Sequence, residues 1–156
     1  MKTWILAGVV LAAAACTNPD ILVEENRDLE GRSWKIGDTI RINLTVRNSI
    51  PSYSIDCMVR NSLEYPYARL FVAYQLQDSV GRIISKQLVS TYLFHEKTGA
   101  PFGSSGLGDM YDHRFPLVTD FRFPGNGRYQ LQLVQQMRTD TLPGIMAVGA
   151  RIGIKK

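Results

Sequence analysis

Asp109, Asp112 and His113 bring two carboxylates and an imidazole close together behind the glycine-rich run Gly103-Ser104-Ser105-Gly106-Leu107-Gly108. Such a set could ligate a divalent cation, with the glycines allowing close approach. Ca²⁺, however, takes about six or more oxygens, and no regular Asp-x-Asp spacing supplies them. Zn²⁺ would need further nitrogen or sulfur ligands, and the only other histidine is His95. The competing reading has Asp109 and Asp112 accept backbone N–H bonds in a loop, and it is preferred. No metal and no cofactor is expected. The glycine order does not match a dinucleotide fingerprint, and Ser104 and Ser105 lack the Gly-x-Ser-x-Gly elbow of a serine nucleophile. Nothing here gives catalysis a starting point, so the chain reads as a non-enzyme.

Tyrosines offer a second kind of chemistry. Tyr65-Pro66-Tyr67 and Tyr111 could present flat, amphipathic contact area to a partner or a glycan. With Asp109, Asp112 and Arg138 they form the candidate partner-binding patch: Tyr65, Tyr67, Asp109, Tyr111, Asp112 and Arg138. Half-buried tyrosines at strand ends are equally ordinary in sandwiches. Arg138 and Asp140 could pair to shape the loop before Leu142-Pro143-Gly144. Three Asp–Ser/Thr–apolar triads, Asp38-Thr39-Ile40, Asp78-Ser79-Val80 and Asp140-Thr141-Leu142, mark Thr39, Ser79 and Thr141 as candidates for O-glycosylation. Ordinary turn chemistry explains such triads as well.

The N-terminus says where this chemistry would operate. One cation, Lys2, precedes the apolar run Ile5 to Ala15, which is too short to span a bilayer and of the right size for a signal peptide. The run ends Ala13-Ala14-Ala15-Cys16, which looks like a lipobox, with Ala13 where Leu is common. Residues 1–15 are therefore expected to be removed and Cys16 acylated, which anchors the protein to a membrane without spanning it. Thr17, not Asp, follows Cys16, which favours the outer membrane. The formal charge of +4 is small and evenly spread, so nucleic acid is not an expected partner. With Cys16 acylated, Cys57 is left without a disulfide partner and reads as a buried thiol.

Residues 16–33 are polar and aperiodic and read as a tether, with Ile21-Leu22-Val23 able to dock as an edge segment. The packed domain is expected from Trp34 to Lys156. There the period is two: Ile40, Ile42, Leu44 and Val46 alternate with polar residues, as do Tyr53 to Val59, Leu70 to Leu76, Tyr129 to Leu133 and Val148 to Ile154. Ile83 to Phe94 reads as a longer strand. Asp78-Ser79-Val80-Gly81 and Pro124-Gly125-Asn126-Gly127 read as hairpin turns. The pattern predicts an all-β protein, a single antiparallel two-sheet β-sandwich of jelly-roll or immunoglobulin-like type.

Three clusters then become specific. They are Arg60-Asn61 with Tyr65-Pro66-Tyr67 and Leu70; Gly106 to Asp112 with Phe115; and Gly127-Arg128-Tyr129 followed by Gln136 to Ile145, Val148-Gly149 and Arg151-Ile152. In this order behind a lipobox, the chain resembles the gliding motility lipoprotein GldH family from about Trp34 to Ile154. The resemblance implies a cell-envelope lipoprotein tied to gliding motility and to the associated type IX secretion machinery. It implies protein partners in that apparatus and carries no catalytic residues. A surface glycan-binding module is the alternative function.

Overall fold

Alternation becomes sheet wherever one side chain in two can be buried. The computed structural model describes residues 18–156, so Cys16 and the signal segment lie outside it. Eleven strands follow in order: β1 (Ile21–Asp28), β2 (Ser33–Lys35), β3 (Ile40–Val46), β4 (Tyr53–Ser62), β5 (Arg69–Asp78), β6 (Ile83–Tyr92), β7 (Ser104–Ser105), β8 (Met110–Phe121), β9 (Gly127–Gln135), β10 (Thr141–Pro143) and β11 (Ile145–Ile154). One sheet runs β1-β11-β4-β8-β7 and the other β3-β9-β5-β6, with every pairing antiparallel. A short ribbon of β2 and β10 closes one end. The expected all-β, single-domain sandwich is what the chain forms.

The core lies between the sheets. Ile40, Ile42, Leu44 and Val46 of β3 and Leu131 and Leu133 of β9 meet Tyr53, Ile55, Cys57 and Val59 of β4 and Val148, Ala150 and Ile152 of β11. Cys57 is a free, fully buried thiol, and burial pushes its pKa well above the ordinary thiol value, with neighbouring Asp56 adding to the rise. Trp34 is fully buried, and its indole N–H donates to the Asp38 carbonyl at 2.8 Å.

Three expectations need correction. The polar segment before Trp34 is no free tether: β1 pairs with β11 from Ile21↔Gly153 to Asp28↔Ala147. Ile21-Leu22-Val23 docks as anticipated, but the pairing continues through Glu24 to Asp28, and the packed domain begins at β1. Gly149 permits this, because a Cβ there would overlap the Glu25 carbonyl oxygen. Second, Met110–Phe121 is the longest strand, although its first half reads as loop in sequence. His113, Phe115 and Leu117 do alternate inward there, but Pro116 interrupts the pattern. That proline faces Asp56, beside a register shift in β4, where a missing N–H is tolerated. Third, Pro124 to Gly127 carries the chain from β8 in one sheet to β9 in the other, so it is a crossover and not a hairpin. Asn126 holds it by accepting from Ser49 N (2.9 Å) and donating to the Arg47 carbonyl (2.9 Å).

The topology sorts the loops onto two ends. Asn18 to Asp20, the β3–β4 loop, the β5–β6 hairpin, the β8–β9 crossover and Lys155-Lys156 share one end, as Ile21↔Gly153, Ile154↔Tyr53, Tyr53↔Phe121, Val46↔Gly127 and Asp78↔Tyr129 require. The 29–39, 63–68, 93–109 and 136–144 segments share the other. Asn18 lies two residues after Cys16, a span of at most ~7 Å, so the first end is the one nearer Cys16 and the second is distal to it.

Candidate functional site

Parts of all three sequence clusters converge at the distal end: Arg60-Asn61 with Tyr65-Pro66-Tyr67, Gly106 to Asp112, and Gln136 to Ile145, while Gly127-Arg128-Tyr129 and Arg151-Ile152 lie toward the other end. Arg60 of β4 and Asp112 of β8 are cross-strand partners, and the guanidinium grips the carboxylate through Nε (2.8 Å) and Nη2 (3.2 Å). This ties the first cluster to the second. The third locks onto the first at Gly144, which has φ +77°. A Cβ there would overlap the backbone nitrogen of Tyr65, and the peptide is held by Ser62 N donating to Gly144 O (2.8 Å) and Gly144 N donating to Arg32 O (3.0 Å). The ribbon of β2 and β10 lies beside this junction, with Ile36 N donating to Asp140 O at 2.8 Å.

A family model described as GldH lipoprotein matches residues 21–152. The chain belongs to the GldH lipoprotein family. It is similar to a protein of Christiangramia forsetii named "Gliding motility lipoprotein GldH homolog", at 26% identity over 126 residues, 76% of each chain. GldH lipoproteins of this kind are lipid-anchored proteins of the cell envelope associated with gliding. Among solved structures the chain is similar to one from the infectious bursal disease virus Gt strain, with TM-score 0.39 and 14% identity over 86% of this chain and 30% of that one. It is also similar to dimeric latent PorU from Porphyromonas gingivalis, with TM-score 0.38 and 13% identity over 88% of this chain and 12% of that one. It thus spans under a third of either chain.

In this GldH-family chain the site residues read from sequence separate into different roles. Asp112 and His113 are neighbours on β8, so the pleat sends their side chains to opposite faces of the sheet. Asp112 faces outward to Arg60, while His113 is buried. Asp109 sits on the exposed turn before β8, next to Gly108 at φ +70°. The three therefore do not form one constellation, and among the described residues no group of three or more His, Cys, Asp and Glu is placed to hold a metal. Burial pushes the His113 imidazole below its ordinary value of 6.5, against the opposing pull of Asp112. Its Nε2 has no partner among the described residues and faces Gly103, where a Cβ would come within 2.7 Å. Gly103 is thus a packing requirement of His113 and not a hinge of a ligand loop.

The aromatic patch is also divided. Tyr65 is buried, stacks on Phe94 at 6.4 Å, and donates its hydroxyl to the Arg69 carbonyl at 2.9 Å. Burial raises its pKa, with Tyr67 adding to the rise. Tyr67 is exposed and meets Tyr65 edge-on at 5.7 Å, while Tyr111 is half-buried opposite Asn61. Tyr65 therefore supports the surface from beneath and is unavailable as a platform for a sugar. Arg138 is exposed and forms no ion pair with Asp140 among the described residues. Its loop is shaped instead by Gln135, whose amide donates to Thr139 O (3.0 Å) and accepts from Met137 N (2.8 Å).

Residues that sequence reasoning passed over complete this end. Ile36, Leu63, Phe102 and Leu107, like Tyr67, are exposed large apolar side chains on the distal loops, Leu107 at 85% exposure. No periodic signal marks them, because each is a single apolar residue in an irregular segment. The glycosylation triads fall apart in space. Thr141 is exposed on β10, Thr39 is half-buried, and Ser79 is exposed on the opposite end. Asp78 is occupied by its hairpin. Desolvation pushes its carboxyl up, but Arg82 and Val80 N–H groups (2.9 and 3.1 Å) and the Arg82 guanidinium outweigh it and hold the pKa below the usual range.

Proposed function

We propose that this GldH-family lipoprotein acts without catalysis, as an outer-membrane-anchored binding element of the gliding and type IX secretion apparatus. Acylated Cys16 holds it at the bilayer, and the distal end engages an envelope protein. The observation that carries this reading is that Arg60-Asn61 and Tyr65-Pro66-Tyr67, Gly106 to Asp112, and Gln136 to Ile145, one stretch from each sequence cluster, meet at the end farthest from the anchor. There Arg60–Asp112 and Gly144–Tyr65 rigidify a surface bearing Ile36, Leu63, Tyr67, Phe102 and Leu107. Apolar side chains displayed on a stiff base bind partners with little ordering cost. Within the patch, Tyr67, Asp109 and Arg138 are the exposed contact residues, Asp112 and Tyr65 position them, and Tyr111 lies at the margin.

Photo-crosslinking in the native envelope tests this. A crosslinking residue at Leu63, Tyr67 or Leu107 is expected to capture a discrete envelope protein. Capture should weaken in Asp112→Arg and return in the swapped pair Arg60→Asp/Asp112→Arg, because an exposed pair of this kind stabilises the fold by only ~0–1 kcal/mol and its main effect is on shape. Silence at all three distal positions would refute the reading. Cys16→Ala is expected to release the protein from the membrane fraction.

A further inference from the structure

The anchor-proximal end has features that partner binding at the distal end leaves unused. Three chain segments meet there around one cleft of about 1180 Å³: Asn18 and Pro19 after the anchor, Arg47 and Asn48 of the β3–β4 loop, and Ser79 and Gly81 of the β5–β6 hairpin, with Arg128 between them. At the tips of those two loops stand Ile50, 82% exposed, and Val80, 84% exposed. Single exposed aliphatic residues are ordinary on a soluble surface. Two on neighbouring loop tips, at the end where the chain leaves the anchor, make a different pattern.

Charge on this end points the same way. Its cations are Arg47, Arg82, Arg122, Arg128, Lys155 and Lys156, and its carboxylates are Asp20, Asp78 and Asp120. Each carboxylate is already paired, with Lys156 (3.7 Å), Arg82 (3.0 Å) and Lys155 (2.7 Å) respectively. Arg47 and Arg128 form no ion pair among the described residues and are exposed to solvent, as is Arg122, whose charge acts on Asp120 without a direct salt bridge. The distal end has the opposite balance, with Glu30, Glu64, Glu96, Asp109 and Asp140 among its acidic residues. A domain polarised in this way orients its basic end toward an anionic surface and its acidic end away from it. Exposed aliphatic tips that share one end with exposed arginines match an interfacial membrane-binding surface, in which apolar side chains enter the headgroup boundary and cations meet lipid phosphates.

We infer that the proximal end docks directly on the acidic bilayer face, with Ile50 and Val80 in the headgroup boundary and Arg47, Arg122 and Arg128 against anionic headgroups. The inference rests on the anchoring reading of Cys16. Lipid attachment alone does not set the domain's orientation, whereas docking does and presents the distal end outward. No covalent step is involved.

The test uses the acylated protein reconstituted into vesicles of phosphatidylglycerol and chain-brominated phosphatidylcholine. Trp is placed singly at three exposed tips, Ile50→Trp, Val80→Trp and the distal Leu107→Trp, over the constant background of buried Trp34. Bromine quenching is expected at 50 and 80 and absent at 107. Replacing Arg47 or Arg128 by Gln lowers the docked-to-free ratio roughly fivefold each, as do vesicles lacking phosphatidylglycerol in proportion to the cations engaged. Co-flotation with the vesicles but no quenching at 50 and 80, or equal quenching at 107, overturns docking while leaving the anchor intact. Failure to co-float overturns the anchor and docking together. An intact glycan on Ser79 in the native protein would also overturn docking, because it would hold this end off the lipid.

Discussion

Gly144→Ala is the most informative single perturbation of the distal junction. At φ +77° an alanine sits in the left-handed region, which costs ~1–2 kcal/mol for a residue with a Cβ. The new methyl would also overlap the backbone of Glu64 and Tyr65, and no side-chain rotation can relieve a clash with main chain. The segment must move, which weakens the hydrogen bonds from Ser62 N and to Arg32 O, worth about 1 kcal/mol each. The sum is a loss of about 3–4 kcal/mol, against a total stability on the order of 5–15 kcal/mol for a domain of this kind. Gly108→Ala is the matched control. Its φ is +70°, but nothing lies within 4 Å of the Cβ it would carry, so only the backbone penalty applies. Urea titration followed by Trp34 emission should place Gly144→Ala well below Gly108→Ala in midpoint, with similar slopes. Equal midpoints would refute the claim that Gly144 interlocks two of the sequence clusters.

Two further outcomes follow from buried titratable groups. His113 is held neutral by burial, so its folded pKa lies below 6.5. The unfolded chain takes up this proton first as pH falls. The stability His113 contributes is thus full above its unfolded pKa and is lost as pH drops from there through the folded value. Melting temperatures compared between about pH 7.5 and pH 5 should fall more steeply for the native chain than for His113→Gln, and parallel curves would contradict this. Cys57, fully buried with a raised pKa, should resist maleimide in the folded protein and label fully in urea, and rapid labelling of folded protein would show that the core opens there.

Much of this protein could be read from local pattern alone. Strands β3, β4, β5 and β9 announce themselves because a half-buried strand must alternate, and alternation needs no knowledge of its partner. The expectation of a leader ending at Cys16 is equally local, since such processing reads a short linear segment, and it lies outside the described residues. Tertiary structure decided the rest, because it depends on what lies opposite. The polar segment Glu24 to Asp28 becomes a strand only where Gly149 makes room for it, and no residue within that segment carries that information. Asp112 and His113 look like one site in sequence, and the pleat of a strand hidden by Pro116 parts them. Tyr65 looks like a binding surface until Gly144, far along the chain, packs against it. The two ends likewise exist only in three dimensions: five separated segments make up the basic one, and a stretch of each sequence cluster meets the others at the opposite end because antiparallel pairing returns the chain to the same level of the sandwich each time.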